Sequence, residues 1–337
     1  MKILGFESSC DETSAAVLEF DDNGKITVLS NIVASQIDIH ARFGGVVPEI
    51  ASRAHTEAIS KITYEALETA NAAIGDIDAV AVTASPGLIG ALLVGVNFAK
   101  SLAYANKKPL IAVNHIKGHI AANYIDHPEL KPPFLALVAS GGHTSLIKAD
   151  TYRDMTTIGA TRDDALGEAF DKVARVLGMP YPGGAAMDKL AYEGKPNIKF
   201  PSAAIKDDTL DFSFSGIKTA VLNHINSCSQ KGGELPRADI AASFVEAAVS
   251  SVVIKMNEAL DKYPDVHRVV LAGGVAANSH LRAALENLCK NRGVQLYMPA
   301  LKYCGDNAAM IASAAYFEYK AGAFSDVSLN ASAVAEV

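Results

Sequence analysis

The sequence predicts an α/β protein of two lobes, on three observations. The chain has 337 residues, of which 50% are hydrophobic and 20% charged. At about 150 residues per domain this length favours two domains, each with its own core. Short apolar segments typical of strands alternate with longer segments of helical periodicity. A strand, a polar loop and a second strand occur near residues 2–20 and again near 134–148, which indicates a weak internal duplication.

The first lobe opens with a predicted antiparallel meander. Apolar segments over 2–7, 15–20 and 26–30 have the length and composition of strands, and Asn23-Gly24 is a strong turn signal between the last two. The elements predicted next are a helix over 55–73, a strand over 79–83, a helix over 90–105, a strand over 110–113 and a helix capped by Asn114.

The pattern restarts near Lys131, so we place the first lobe at 1–130 and the second at 131–325. The elements predicted in the second lobe are strands over 134–139, 145–148, 269–272 and 294–298, a helix from Ser279 that ends before Gly293, and a helix over 307–319 with Asp306 as its N-cap. The irregular segment 192–236 is an insertion, an exposed loop or part of a substrate groove. The small, polar tail after Phe324 is expected to fray.

Composition excludes several classes of protein. The apolar content excludes bulk disorder, and the longest apolar run is about half of the roughly 20 residues that a membrane span needs. Glu7 interrupts any signal-peptide core. The four cysteines lie far apart without a CxxC pair, which excludes a cysteine-rich zinc knuckle and disfavours a disulfide framework. We therefore expect a cytoplasmic protein without a membrane partner.

Charge limits how the chain can bind nucleic acid. The formal net charge is −7, so the overall field repels phosphates and a nucleic-acid partner needs a local basic patch. Candidates for that patch are Lys195, Lys199, Lys206 and Lys218. The alternative is that these lysines are ordinary solubilising surface charge.

The pair His115 and His119 is the first candidate site. On a helix a spacing of four places both imidazoles on one face, within reach of one metal ion. The intervening residues Ile116-Lys117-Gly118 lack the glutamate of an HExxH protease. Two unrelated polar helix residues are the alternative interpretation. A third ligand must come from elsewhere, and Asp306 is a candidate because it too lies where the chain enters a helix after a strand.

Glycine-rich loops follow two of the predicted strands. Ser140-Gly141-Gly142 and Gly273-Gly274 are placed where backbone N–H groups can approach an anion. The loop 8–14 corresponds to the first of them, with hydroxyls and carboxylates in place of glycines. No P-loop motif is present, and a single Gly-Gly pair is usually only a tight turn. Three such loops at strand ends are more informative together.

A group of acidic residues lies close together in sequence: Asp163, Asp164, Glu168, Asp171 and Asp188. Three of them fall at helical spacing, so they either form a solvated helix face or bind the hydroxyls of a ribose.

Several strings of residues occur in one order along the chain. They are Glu7-Ser8-Ser9-Cys10-Asp11-Glu12-Thr13, His115-Ile116-Lys117-Gly118-His119, Ala139-Ser140-Gly141-Gly142-His143-Thr144, Pro182-Gly183-Gly184, Phe212-Ser213-Phe214-Ser215-Gly216-Ile217-Lys218-Thr219-Ala220, Gly273-Gly274-Val275-Ala276-Ala277-Asn278 and Gly305-Asp306-Asn307-Ala308. Together they resemble the bacterial tRNA N6-adenosine threonylcarbamoyltransferase family, formerly described as O-sialoglycoprotein endopeptidases. The resemblance covers about residues 2–320.

The resemblance implies an actin/sugar-kinase/heat-shock ATPase-like fold with duplicated RNase H-like lobes. It also implies transfer of a threonylcarbamoyl group from threonylcarbamoyl-AMP to the N6 amine of the adenosine beside the tRNA anticodon. The family's metal ligands match His115, His119 and Asp306. Its substrate-contacting positions match Val138, Ala139, Ser140, Gly141, Gly142, Asp171, Gly184, Asp188 and Asn278. Glu12, in the first phosphate-facing loop, is the candidate for a catalytic or orienting role.

The resemblance further implies one divalent metal ion per subunit, iron(II) or zinc, and two protein partners, an inactive paralogue of the same fold and a small ATPase.

Three alternatives stay open. An ATP-dependent small-molecule kinase would share the fold, but the HxxxH helix is unexpected there. A metalloprotease lacks its general base. A non-catalytic scaffold paralogue would be expected to lose the two histidines and the aspartate.

Overall fold

The computed structural model describes residues 1–230, 235–335 and 337. The chain divides into two compact units. Unit 1 contains Met1–Lys131, Thr151–Asp154 and Pro299–Val337, and unit 2 contains Pro132–Asp150 and Met155–Met298. The first boundary lies at the residue where the sequence pattern restarts. Residues 299–325, which the sequence places with the second lobe, belong to unit 1.

Strands and helices alternate along most of the described chain. The strands are β1 (Lys2–Glu7), β2 (Glu12–Phe20), β3 (Ile26–Ser35), β4 (Ala79–Ser85), β5 (Leu110–Asn114), β6 (Phe134–Ala139), β7 (Thr144–Ala149), β8 (Met155–Ala160), β9 (Arg268–Ala272) and β10 (Gln295–Tyr297). The helices are α1 (Ile37–Ala41), α2 (Pro48–Thr69), α3 (Ile89–Ala105), α4 (His115–Asp126), α5 (Leu166–Val176), α6 (Gly184–Ala191), α7 (Ser215–Gln230), α8 (Arg237–Lys262), α9 (Ser279–Arg292) and α10 (Ala308–Lys320).

Unit 1 is built on a five-stranded sheet of order β3-β2-β1-β4-β5. The first three strands form the predicted antiparallel meander, and β4 and β5 run parallel to β1. Successive residues of β1 point to opposite faces of the sheet. Ile3 packs in a cluster with residues of α10, whereas Leu4 packs with residues of α2 and α3. The sheet is therefore covered on both faces, which explains why β1 is almost wholly apolar.

Unit 2 has a sheet of order β10-β9-β6-β7-β8. It too consists of a three-strand antiparallel meander, β6 to β8, and two strands, β9 and β10, that run parallel to the first strand of the meander. The strand order and directions are those of unit 1. Topology therefore confirms the duplication that sequence similarity indicated only weakly.

Three predictions about helices are wrong. Helix α2 begins at Pro48 rather than His55, with proline at the first helical position, where its missing N–H is not needed. Segment 192–236 is not uniformly irregular, because it contains α7; its residues 231–234 lie outside the described residues. The cap of α10 is Asn307, not Asp306: the Asn307 side chain accepts a hydrogen bond from Met310 N at 3.1 Å.

The tail after Phe324 is docked against unit 1 and not frayed over its described residues. Ser325 N donates to Leu110 O at 2.8 Å, and Ser332 N donates to Ala84 O at 2.9 Å. The side chains of Leu329 and Ala331 pack against the core between the sheet, α2 and α3. These backbone hydrogen bonds and apolar contacts explain why a small, polar sequence is ordered.

Among the residues that the structure describes, no helix combines the length and the apolar character needed to cross a membrane.

Candidate metal centre and anion-binding loops

The two histidines lie at the start of α4, directly after β5. Asn114 ends the strand and caps the helix, since its side-chain oxygen accepts hydrogen bonds from Ile116 N at 2.9 Å and Lys117 N at 3.2 Å. His115 and His119 are therefore one turn apart on the same helix face, with ring centroids 4.5 Å apart. Both side chains are buried. The predicted helix and the predicted pairing of the imidazoles are confirmed.

Asp306 meets the two histidines from the chain segment that precedes α10. Its Oδ1 atom lies 3.2 Å from His119 Nε2 and 3.6 Å from His115 Nε2. In a tetrahedral site with ligand bonds of about 2.1 Å, neighbouring ligand atoms are about 3.4 Å apart. The observed distances match that spacing, and all three ligand atoms lie within 4.8 Å of one another.

The donor set suits a divalent transition metal. Two imidazole nitrogens and one carboxylate oxygen are the protein ligands of many zinc and iron(II) sites, and they leave coordination positions open. Neither ring nitrogen of the buried His119 makes a hydrogen bond to any described residue, and the 3.2 Å contact of Nε2 with Asp306 Oδ1 does not have hydrogen-bond geometry. Such a loss normally destabilises a folded protein by about 1–3 kcal/mol. A metal bound at Nε2 would satisfy one of them. The group can therefore hold a metal, and its residues do not determine which one.

A second layer of polar residues lies behind His115. Glu7 Oε2 and Ser9 Oγ both lie 3.1 Å from His115 Nδ1. The Glu7 carboxylate also accepts hydrogen bonds from Thr83 Oγ1 at 2.6 Å and from Ser9 N at 2.5 Å. Burial would by itself raise the pKa of Glu7, but the charge and hydrogen bond of His115 outweigh it and leave that pKa below its usual value.

The same charges act on His115. Its burial favours the neutral ring, but the carboxylates of Asp306 and Glu7 are stronger and raise the pKa of His115 to about 9. A site that attracts a proton this strongly in the absence of a cation is an electrostatically negative, buried site. That is the environment in which a divalent cation gains most from binding.

Glu12 begins β2, on the far side of the loop from Glu7. Its carboxylate accepts a hydrogen bond from Ser35 Oγ at 3.3 Å. Burial, followed by the charges of Asp306 and Asp11, raises the pKa of Glu12 to about 10. The loop between the two glutamates is held by His55 of α2, which hydrogen bonds to Thr13 Oγ1 at 2.7 Å and Cys10 O at 3.0 Å.

The glycine loop of unit 2 joins β6 to β7. Val138 and Ala139 are the last residues of β6 and are fully buried, whereas Gly141 and Gly142 are exposed. Ser140 anchors the turn, because its N–H donates to His143 O at 2.8 Å and its Oγ accepts from His143 N at 3.1 Å. A Cβ atom at Gly141 or Gly142 would have no atom of the described residues within 4 Å. The backbone of this loop is thus open to an approaching anion.

Two further glycines bring neighbouring segments against this loop. Gly273, after β9, has φ +92°, and a Cβ there would lie 2.3 Å from Ala139 O. At Gly167, in the first turn of α5, a Cβ would lie 2.6 Å from Ser140 O. Only glycine permits both contacts. The ends of β6 and β9 and the start of α5 therefore converge, as expected at the carboxyl edge of parallel strands.

Of the remaining predicted binding residues of unit 2, Gly184 begins α6 and Asn278 precedes α9, whereas Asp171 and Asp188 lie within α5 and α6. The Asn278 side chain caps α9 by accepting from Leu281 N at 2.8 Å. Asp188 accepts hydrogen bonds from Ser279 N at 3.0 Å and Oγ at 2.7 Å, and from His280 Nδ1 at 2.7 Å. Asp188 and Asn278 are thereby brought together. Asp171 accepts from Gly183 N at 2.7 Å, which places it beside Gly184 at the start of α6.

The other acidic residues of the cluster have structural partners. Asp163 accepts hydrogen bonds from Ser213 Oγ and from Phe214 N, and so holds the start of α7. Asp164 pairs with Lys172 at 2.7 Å and Lys218 at 2.6 Å. Lys218 is thus half-buried and paired, while three other candidates for the basic patch are exposed: Lys195, Lys199 and Lys206.

Sequence reasoning misses the layer behind His115. Glu7 and Ser9 belong to one of the strings that carry the family resemblance, but the sequence gives neither of them, nor Thr83, a contact with His115. The available signal is a glutamate at the end of an otherwise apolar strand, since a fully buried carboxylate needs partners.

Comparisons with known proteins identify the family. The family model TsaD, tRNA N6-adenosine threonylcarbamoyltransferase, matches residues 27–313. Proteins of that name from Clostridium novyi (strain NT) and Clostridium botulinum (strain 657 / Type Ba4) are 56% identical over 333 residues and 55% identical over 332 residues. In both cases the match covers 98% of this chain and 96% of the relative.

Solved structures confirm the predicted fold. Component A of the (R)-2-hydroxyglutaryl-CoA dehydratase of Acidaminococcus fermentans is 17% identical with a TM-score of 0.56, covering 96% of this chain and 99% of that one. The ROK hexokinase of Thermus thermophilus is 17% identical with a TM-score of 0.51, covering 96% and 100%. At this identity they show the actin/sugar-kinase/heat-shock ATPase-like fold alone and do not support a kinase activity. From the family model and the curated relatives we conclude that the chain belongs to the tRNA N6-adenosine threonylcarbamoyltransferase family.

Proposed function

We propose that this enzyme moves a threonylcarbamoyl group from threonylcarbamoyl-AMP to the N6 amine of the adenosine beside the tRNA anticodon, with a metal ion at His115, His119 and Asp306. The observation that carries the proposal is that triad, in a chain of this family: three ligand atoms within 4.8 Å of one another, two of them on rings that are buried. In the reaction the amine nitrogen bonds to the carbamoyl carbon, the bond from that carbon to the phosphate oxygen breaks, and AMP leaves.

Unit 2 supplies the proposed binding site for the AMP part of the donor. In the loop Ser140–Gly142, the N–H groups of Gly141 and Gly142 would hold the phosphate, since these exposed glycines let an oxyanion approach the backbone. The N–H of Ser140 donates to His143 O and fixes the turn. Asp171 and Asp188 would accept hydrogen bonds from the ribose hydroxyls, and Gly184 and Asn278 would lie near the adenine. Asp188 already accepts hydrogen bonds from the backbone and side chain of both Ser279 and His280, so its orientation is set before a substrate binds.

Unit 1 supplies the metal site and a proton acceptor. A divalent ion held there, iron(II) or zinc, supplies a Lewis acid for an oxygen of the donor. The acceptor amine is weakly nucleophilic because its lone pair is delocalised into the purine, and it must lose a proton on acylation. In the metal-free protein the pKa of Glu12 is raised to about 10, so its carboxyl group is protonated near neutral pH. A cation at the triad would offset the charge of Asp306, which contributes to this rise, and we assign the proton of the amine to the Glu12 carboxylate once that cation has lowered its pKa.

The proposal also covers the location of the enzyme, its contacts with tRNA and its protein partners. We propose that the enzyme acts on tRNA in the cytoplasm, and the exposed Lys195, Lys199 and Lys206 are the proposed contacts for the tRNA phosphates. A paralogue of the same fold and a small ATPase are the proposed protein partners. Exposed apolar side chains on α1 and α2, such as Ile39 and Tyr64, are compatible with a protein partner on unit 1.

A double variant tests the proposal. His115→Ala with His119→Ala removes both nitrogen ligands, so zinc binding and transfer to tRNA should be lost while the protein stays folded and binds AMP as before. His127→Ala is the matched control, because this residue follows the end of α4 outside the triad. Undiminished transfer by the double variant would refute the role of the metal site.

A further inference from the structure

The position of Glu7 within the fold is unusual for a carboxylate. It is the last residue of β1, a strand whose other residues are apolar apart from Lys2, and its side chain is 0% exposed. A buried carboxylate is retained only where donors surround it. The donors that surround Glu7 come from three separate segments: Ser9 in the following loop, Thr83 on β4 and His115 on α4.

The hydrogen bonds at Glu7 that have an assigned donor, from Ser9 N and Thr83 Oγ1, are accepted by the carboxylate, whereas the direction of its contact with His115 Nδ1 depends on the tautomer of the ring. One oxygen accepts from Ser9 N, and the other accepts from Thr83 Oγ1 and faces His115 Nδ1 at 3.1 Å. A backbone N–H can only donate. Ionised Glu7 offers acceptors alone, and so it requires the proton of His115 to be on Nδ1.

That requirement determines the tautomer of His115. When a neutral imidazole carries its proton on Nδ1, its lone pair is on Nε2. Nε2 is the atom that lies 3.6 Å from Asp306 Oδ1 on the metal side of the ring. The carboxylate on one side of the ring thus prepares the other side to bind a cation. In metalloproteins such outer carboxylates orient ligand histidines and raise their basicity.

We infer that Glu7 is a positioning residue, which holds His115 in the Nδ1-protonated tautomer and so presents Nε2 to the metal. Thr83 in turn holds the Glu7 carboxylate in place. This role of Glu7 rests on the metal site of the proposed function. It makes the metal affinity of that site depend on a residue that is not itself a ligand.

Glutamine at position 7 would disrupt this arrangement although it has the same shape. Its side chain has one acceptor oxygen and one NH₂ donor. In one orientation the NH₂ group opposes the N–H of Ser9. In the other orientation the NH₂ group faces Nδ1 of His115. Nδ1 can accept a hydrogen bond from it only if the ring proton moves to Nε2, and Nε2 is the atom that must be unprotonated to bind a metal. Both orientations therefore weaken metal binding.

The experiment measures zinc affinity by competition with a chromophoric chelator, using the full-length chain. Glu7→Gln is expected to weaken zinc binding about 10–100-fold, and Thr83→Val less than about tenfold. Thr63→Val is the matched control for Thr83→Val, since Thr63 is also buried but donates to Ile59 O within α2; it should bind zinc as the wild type does. Thermal unfolding of the metal-free variants establishes that each is folded.

A second measurement does not depend on any variant. Long-range ¹H–¹⁵N spectra of the zinc-loaded wild type should show the His115 ring protonated at Nδ1. If the wild type binds no zinc at this site, the proposed metal site and this inference both fall. If the wild type binds zinc while Glu7→Gln binds it equally well, or if Nδ1 of His115 carries no proton, the inference alone is overturned and the proposed function stands.

Discussion

The loops that follow the first strand of each sheet occupy the same place in two sheets of the same topology, but their chemistry is opposite. In unit 1 the loop after β1 is flanked by Glu7 and Glu12, and its serines are buried. In unit 2 the loop after β6 presents the exposed glycines Gly141 and Gly142. One loop lies beside two imidazoles and a third carboxylate, and the other offers unobstructed backbone N–H groups.

The difference shows how a duplicated fold can carry two kinds of site. The shared sheet topology supplies a position at the end of a central strand, where side chains or ligands converge. Carboxylates at that position create negative potential that favours a cation, whereas bare N–H groups favour an anion. If this division is correct, changes in unit 1 should act on metal binding and changes in unit 2 on phosphate binding, each without the other.

Loss of Asp306 is the largest expected effect. Asp306→Ala removes the only carboxylate of the triad, so stoichiometric zinc binding and detectable transfer should both disappear. AMP affinity, measured by titration calorimetry, should not change, because the proposed AMP contacts are all in unit 2. Asp326→Ala on the exposed tail is the control for loss of an aspartate. A parallel loss of AMP binding in Asp306→Ala would contradict the division.

Substitution of Glu12 should stabilise the metal-free protein in a pH-dependent way. A folded-state pKa of about 10 against an ordinary 4.5 means that the unfolded chain releases this proton more easily. Wild-type stability is therefore penalised progressively as pH rises from the ordinary pKa towards the folded one. Glu12→Gln has no such penalty, so it should be more stable than wild type by about 5 kcal/mol near pH 8 and equal to it near pH 4.

Thermal and denaturant unfolding at the two pH values provide the check, with transfer activity expected to fall in the same variant. Glu19→Gln, an exposed carboxylate on the same strand, is the control for the change of charge. A wild type more stable than Glu12→Gln near pH 8 would show that Glu12 is stabilised as an anion, which is the opposite of the expected effect.

A methyl group on the unit 2 loop should weaken nucleotide binding. In the described part of the chain no atom lies within 4 Å of a Cβ at Gly142, so Gly142→Ala should fold normally but obstruct the approach of the phosphate. We expect about tenfold weaker AMP binding, equivalent to about 1.4 kcal/mol, with zinc affinity unchanged. Gly75→Ala in unit 1, where a Cβ also meets nothing, is the control. Unchanged AMP affinity in Gly142→Ala would place the phosphate elsewhere.

The smallest effect is expected from single lysines of unit 2. Lys199 is exposed, and if it contacts a tRNA phosphate then Lys199→Gln should reduce the slope of log affinity against log salt by about 0.7–0.9. Lys218 is paired with Asp164 at 2.6 Å, so Lys218→Gln should change that slope less. Equal slopes for Lys199→Gln and the wild type would remove Lys199 from the interface.

Local patterns predicted the parts of the site that local structure determines. The spacing of His115 and His119 depends only on helix geometry, and Asn114 is a cap of ordinary type, so both were predictable. Asp306 was a candidate because the chain enters a helix there, and the family resemblance supported it. Its neighbour Asn307 proved to be the cap, a distinction between adjacent residues that composition does not reveal.

The parts that escaped prediction depend on residues far apart in sequence. The role of Glu7 arises from the pairing of β1 with β4 and the packing of α4, which bring Thr83 and His115 to it. The start of α7 is held by Asp163, some 50 residues earlier, so no local signal marks it. In unit 1 the tail is ordered by hydrogen bonds to Leu110 and Ala84. The small, polar residues of the tail give no signal from which these hydrogen bonds could be predicted.

Anomalous diffraction at the zinc edge from crystals of the zinc-loaded enzyme tests the central claim most directly. The account predicts one peak per chain, with Nε2 of His115, Nε2 of His119 and a carboxylate oxygen of Asp306 each about 2.0–2.2 Å from it. A zinc peak bound by other residues, with the three side chains turned away from one another, would contradict it.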